Sequence, residues 1–255
     1  MGRPIRPGAA RAVLFCALVV GPSAAEAGLP TPLENLSRHA RVVLLGERHR
    51  TWGAPGLLLA LVEGALSGEG TVAVGLEIPA DRQPLLDRAA ATGRVPDGLL
   101  PRVIDSPAYR AMFQGLAGAV RDFPARVDVL ALDAPERSPV DRDGFMAERV
   151  LEAVRSGVER VVVLVGNLHV PTPPEDSLGG RLERLGIATA RVLTLGRGTP
   201  RDTPLRWYPA AHKKTRTAVR MLWSLLARPP APGREPPVHG LVVWDSPPDR
   251  LATLR

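Results

Sequence analysis

One cysteine, Cys16, is all the thiol that the 255 residues carry. It lies in a segment with the pattern of an export leader. Arg3, Arg6 and Arg11 give a positive start, residues 12–20 (AVLFCALVV) a short apolar run, and Ala25-Glu26-Ala27 a small-x-small cleavage site before Gly28. Cleavage there leaves a chain without thiols, which excludes disulfides, zinc–thiolate sites and cysteine nucleophiles. The apolar run is short for a comfortable membrane span, an uncleaved anchor being the lesser alternative. Leu14-Phe15 before Cys16 also lacks the small residue that precedes a lipidated cysteine. The expected location is periplasmic or extracellular, with residues 1–27 as signal peptide and 28–255 as one domain.

Aromatic residues are scarce as well, at 4%, which argues against a stacking platform for nucleic-acid bases. Charge is not concentrated either. The formal net charge is +7, and loss of residues 1–27, with three Arg and one Glu, lowers it to +5. Spread along the chain, that excess points to no nucleic-acid partner. No G-x-S-x-G element is present, so a covalent nucleophile is not expected.

Apolar residues make up 45% of the chain, enough for a substantial core. Runs rich in branched residues recur at Arg41–Gly46, Thr71–Glu77, Val127–Asp133, Arg160–Gly166, Arg191–Gly196 and His239–Asp245. They are nearly continuous rather than alternating, as strands covered on both faces are. Helical patterns separate them, at Pro55–Ser67, Ala80–Ala91, Ser106–Asp122 and Asp141–Ser156. Ahead of them Thr31-Pro32-Leu33-Glu34 reads as a capping box opening a short helix to about His39. This alternation predicts an α/β fold, a mostly parallel sheet flanked by helices on both faces. The Arg228–Pro237 stretch (RPPAPGREPP) reads as a loop before the last strand.

In a parallel sheet the strand carboxyl ends share one edge, and ligands bind there. The first run leads into Gly46-Glu47-Arg48-His49, the second ends at Glu77, the third at Asp133, and the fourth at Gly166-Asn167-Leu168-His169. Two G-x-x-H elements and two further carboxylates therefore converge, each glycine being expected to let the chain leave its strand sharply. Glu47, His49, Glu77 and His169 are the expected site. Arg142, on a helical segment with Asp143 and Arg149, is placed to bring in a guanidinium; Arg149 reads equally as part of a solvated face. Met146 is expected in the core, and His39 and His239 as structural. The basic stretch Ala211–Leu226, with Trp223, reads either as membrane-facing or as an ordinary packed helix.

Four short elements carry a resemblance: Leu44–His49 (LLGERH), Gly75-Leu76-Glu77, Arg142–Ala147 (RDGFMA) and Val165–Val170 (VGNLHV). In this order, from about Arg41 to Gly196, the chain resembles the superfamily joining ChaN-type haem-binding proteins, the Tiki/TraB proteins and the erythromycin esterases. The Arg142–Ala147 and Val165–Val170 elements, with Arg82-Gln83 after Glu77, resemble the ChaN branch in particular. Two departures stand out: no lipobox, and no second histidine shortly after the first motif, around Trp52–Pro55.

The resemblance implies two functions. The ChaN branch implies extracytoplasmic haem binding in haem or iron uptake, with His49 or His169 towards iron, Arg142 on a propionate, and Tyr109 or Tyr208 as the tyrosine ligands on offer. The esterase and Tiki branches imply a hydrolase. There His49 or His169, held by Glu47 or Glu77, is general base towards water, and Arg142 stabilises the oxyanion. A divalent metal on His49, Glu77 and His169 is an allied form. Either way the expected partner is a small molecule, haem or an ester or peptide substrate. A peripheral membrane contact and a homodimer stay open.

Overall fold

The computed structural model describes residues 29–51, 53–171, 176–197, 206–225 and 238–245. The expected leader 1–27, Cys16, Trp52 and the expected loop Arg228–Pro237 lie outside the described residues.

The strands are β1 (Val42–Glu47), β2 (Val72–Pro79), β3 (Val127–Asp133), β4 (Arg160–Gly166), β5 (Thr189–Arg197), β6 (Arg206–Pro209) and β7 (Gly240–Asp245). They form one sheet in the order β3-β2-β4-β1-β5-β7-β6. Every pairing is parallel except β6 with β7, which is antiparallel. The expected mostly parallel sheet is thus present. β6 was not expected, because a four-residue edge strand (RWYP) ending in proline carries too little pattern to read.

Helices cover both faces. α1 (Thr31–His39), α2 (Gly53–Leu66), α3 (Gln83–Thr92) and α4 (Pro107–Asp122) pack on one side. α5 (Arg142–Arg155), α6 (Leu178–Arg184) and α7 (Lys213–Leu225) pack on the other. The split follows the period of two along each strand. Val43 and Leu45 of β1 face the α1–α4 side, while Val42 and Leu44 face α5–α7. Since every residue of β1 and β2 is buried, only continuous apolar runs could have served, and the sequence supplies them.

Helix starts follow local chemistry with one correction. Ser106 caps α4 by accepting from the Tyr109 N–H, and Asp141 caps α5 by accepting from the Gly144 N–H. The capping box expected at Thr31 does not form. Thr31 is already helical, Pro30 is the N-cap, and its carbonyl accepts from the Leu33 and Glu34 N–H groups. The donors that a threonine hydroxyl would have served are thereby taken. α7 buries Ala218 and Val219 in the second core, as a packed helix does. No helix among the described residues is long and apolar enough to cross a membrane.

Candidate functional site

β4 lies between β2 and β1, so three strand ends meet at one place. Glu47 stands beside Gly166 in the β1–β4 register. Glu77 follows Leu76, which is level with Leu164, and the β2–β3 register shifts between Leu76 and Pro79. Bulges of this kind re-aim side chains near sites. Alternation then sends the two glutamates to opposite faces. Glu47 follows Val43 and Leu45 towards α4, whereas Glu77, between Leu76 and Ile78, turns away from them towards α5.

On the α4 side Glu47 is buried. Its Oε1 accepts from the Tyr109 hydroxyl at 2.7 Å and pairs with His49 Nδ1 at 2.8 Å. Tyr109 is fully buried, and burial with the Glu47 charge pushes its hydroxyl well above 10, so it remains a donor. The hydrogen bond with Glu47 raises the His49 pKa above 6.5, burial opposing and Glu77 adding to the rise. With Nδ1 so held, the donor role falls to that nitrogen and Nε2 presents its lone pair. Among the described residues no hydrogen bond reaches His49 Nε2. The chain leaves His49 through Arg50, a non-glycine residue at φ 66°, the kind of left-handed turn that recurs at functional sites.

On the α5 side Arg142 grips Asp133 with Nε at 2.8 Å and Nη2 at 2.6 Å, and Nη2 also donates to Glu77 Oε1 at 3.0 Å. Glu77 Oε2 accepts from the Gly166 N–H at 2.7 Å. His169 sits between carboxylates, Nδ1 at 2.8 Å from Asp143 and Nε2 at 3.5 Å from Glu77. Burial works against charge on Glu77, yet His169 and the Gly166 N–H lower its pKa from 4.5 to about 2. Burial likewise works against the imidazolium, yet Asp143 and Glu77 raise the His169 pKa from 6.5 to about 10. At neutral pH this half is a carboxylate–imidazolium–guanidinium cluster.

The two halves face one cleft of about 660 Å³, lined by Glu47, His49, Glu77, Arg142 and His169 with an apolar wall that includes Val103, Leu195 and Met221. All five expected site residues therefore meet. Arg149 does not join them: it pairs with Glu152 at 3.2 Å and lines a separate hollow. Two partners escaped the sequence. Asp143, which also accepts from the Leu178 N–H, read as one more charge on a helix face. Tyr109 stood only as one of two tyrosine candidates for a haem ligand; its full burial and its bond to Glu47 remove it from that role. The one available signal was that a phenol in an apolar helix needs an acceptor.

The glycines act through closeness rather than through unusual backbone angles. Gly166 has φ −58°, open to any residue, but a Cβ there would stand 3.3 Å from His49 Nε2 and 3.5 Å from Glu77 Oε2. At Gly46 a Cβ would meet Asn167 Oδ1 at 2.5 Å. Gly166→Ala is expected to fold yet to displace His49 Nε2, the nearest atom to the added Cβ at 3.3 Å. A changed imidazole NMR signal of His49 beside an unchanged thermal melt checks it. Tyr109→Phe strips a donor from the buried Glu47 carboxylate and is expected to cost about 1–3 kcal/mol, read from urea unfolding.

A metal ion does not fit His49, Glu77 and His169. Both Glu77 oxygens are engaged by Arg142 and the Gly166 N–H, and both His169 nitrogens face carboxylates. Among the described residues no group of three or more histidine, cysteine or carboxylate side chains is arranged to hold one. For haem the set leaves one imidazole nitrogen, His49 Nε2. Tyr109 is inaccessible, and Tyr208 bonds to Lys214 at 3.0 Å away from the cleft.

No family model and no curated protein matches this sequence. Solved structures do match. A succinoglycan biosynthesis protein superposes with a TM-score of 0.55 at 12% identity, over 69% of this chain and 72% of that one. The erythromycin esterase EreC, in an open conformation, gives 0.49 at 12% identity, over 84% and 78%. ChaN of Campylobacter jejuni, with cofacially bound haem, gives 0.42 at 15% identity, over 65% and 84%. At 12% identity the likeness to the succinoglycan biosynthesis protein establishes the α/β fold alone.

Proposed function

We propose that the chain is a hydrolase of a small-molecule carboxylic ester or related acyl compound, acting outside the cytoplasm. One observation carries the reading: an imidazole whose Nδ1 is fixed on a buried carboxylate turns a free Nε2 to a cleft whose other wall holds fixed positive charge. His49 Nε2 takes a proton from water, and the hydroxide attacks the carbonyl carbon. Negative charge on the carbonyl oxygen is met by Arg142, whose Nη1 takes no part in its bonds to Asp133 and Glu77, while imidazolium His169, held by Asp143 and Glu77, adds charge nearby. On collapse the alkoxide leaves with the proton held at His49 Nε2, and the carboxylic acid is released. Glu47 and Tyr109 position the base, while Glu77, Asp133 and Asp143 position the cations.

The test is turnover of 4-nitrophenyl acetate by the full chain, before and after dialysis against EDTA. Turnover that survives dialysis and is lost in His49→Ala supports the reading. No turnover above background, on this ester or on a panel of esters and amides, overturns it. Haem binding, the function implied by the ChaN resemblance, would rest on His49 Nε2 against the apolar wall. It predicts saturable haemin binding that His49→Ala weakens and that Glu77→Gln leaves intact.

A further inference from the structure

A second hollow of about 590 Å³ adjoins the cleft. Arg48, Leu195, Ala218 and Met221 line both, so the two are one trough with a shared waist. α7 builds its side wall. Residues 213/214, 217/218 and 221 lie one turn apart on one helix face, running from two lysines to a methionine. Lys213 and Lys214 are the only lysines in the whole sequence.

The trough is polarised. At the far end Lys213 and Lys214 are exposed, and Arg48, also exposed, stands at the shared waist. Lys214 has a neutral partner, the Tyr208 hydroxyl, and among the described residues no carboxylate pairs with Arg48, Lys213 or Lys214. Its middle is apolar: Leu195, Ala218, Leu241 and Val243. At the near end, around His49, stand Val103, Leu168 and Met221, which are large apolar side chains left exposed. Exposed apolar residues scattered singly mean little, but those gathered on one cleft mark a ligand surface. By the helical rise, about 11 Å separates the lysines from Met221.

From this we infer the substrate class: an amphipathic anion, with an apolar body along Leu195, Ala218 and Met221 and a terminal carboxylate, phosphate or sulfate at Lys213 and Lys214, Arg48 adding positive charge at the waist. The hydrolase reading is used only to place the reacting bond at His49; the binding polarity stands on the trough itself. The anionic end is the recognised feature, so a cation of equal chain length is rejected by the same three charges.

The experiment uses the full chain and two probes of equal length, dodecanoate and dodecyltrimethylammonium, titrated calorimetrically. Dodecanoate is expected to bind saturably, one per chain, and at least about fivefold tighter than the cation, as two or three partly exposed ion pairs allow. Bound dodecanoate should also shield both lysines from acetic anhydride, read by mass spectrometry. Lys213→Ala combined with Lys214→Ala should abolish the preference for the anion, whereas Arg121→Ala, an exposed cation on α4, should keep it. Equal binding of both probes, or a preference unchanged in the double variant, overturns the inference. So does lysine protection by phosphatidylglycerol vesicles that dodecanoate fails to compete away, which assigns α7 to a lipid surface. Dodecanoate binding without any ester turnover sinks the hydrolase reading and leaves this one standing; turnover with indifferent binding does the reverse.

Discussion

On the hydrolase proposal, His49→Ala is expected to lower ester turnover by about 10²–10⁴-fold, the range for removal of a general base. The loss falls on kcat/KM, and it should come without a matching loss of stability. His49 is partly exposed, and its removal leaves Glu47 Oε1 still bonded to Tyr109 at 2.7 Å. His49→Gln is the sharper variant, keeping bulk and a hydrogen-bonding end while having no titrating nitrogen. If it retained wild-type rates, water activation would have to come from elsewhere in the cleft. His169 could not easily replace it, since with a pKa of about 10 it is protonated under working conditions.

Glu77→Gln carries the second large effect, on stability and turnover together. Glu77 is the anion that Arg142 and His169 share, and the amide leaves two buried or half-buried cations facing a neutral group. Breaking a buried pair by removing one partner costs on the order of 3 kcal/mol, and the cost depends on pH in a defined way. The folded pKa of Glu77, about 2, lies below its ordinary 4.5. Its contribution is therefore present above pH 4.5 and lost as pH falls towards about 2. The folded pKa of His169, about 10, lies above its ordinary 6.5. That contribution is full below pH 6.5 and lost as pH rises through about 10. Wild type and variant should differ most between pH 4.5 and 6.5, and the gap should narrow on both sides. Urea midpoints across pH measure it. A constant gap would mean that Glu77 acts by packing rather than by charge. Turnover should fall as well, because Arg142 and His169 lose the group that aims them at the cleft.

Much of the site was legible in the sequence for a geometric reason. Parallel strands deliver their carboxyl ends to one edge, so residues written just after apolar runs must gather there. Glu47, His49, Glu77 and His169 obey this rule, and Arg142 follows from the cap at Asp141. What periodicity does not encode is the strand order. Only the insertion of β4 between β2 and β1 puts Gly166 in contact range of both His49 and Glu77. Nor does it encode which face a strand-end side chain takes. That choice gives Glu47 to Tyr109 and Glu77 to Arg142, and it sets one G-x-x-H histidine on a single carboxylate and the other between two. The metal set failed for the same reason. Spacing counted donors, but not the guanidinium and the backbone N–H that already occupy the Glu77 oxygens. Tyr109 and Asp143 were out of reach because each gains its meaning from a partner far away in the chain.

The pH dependence of kcat/KM for 4-nitrophenyl acetate tests the central claim most directly, since base and cation titrate in opposite senses. His49 must be neutral to accept a proton, so the rate should rise with pH through an apparent pKa above 6.5. His169 must be charged to hold Glu77, and through it Arg142, in place, so the rate should fall again through a value near 10, both being properties of the coupled cluster. The account predicts this bell in the wild type and loss of its rising limb in His49→Gln. A wild-type profile without the rising limb, or a His49→Gln profile that keeps it, contradicts the account.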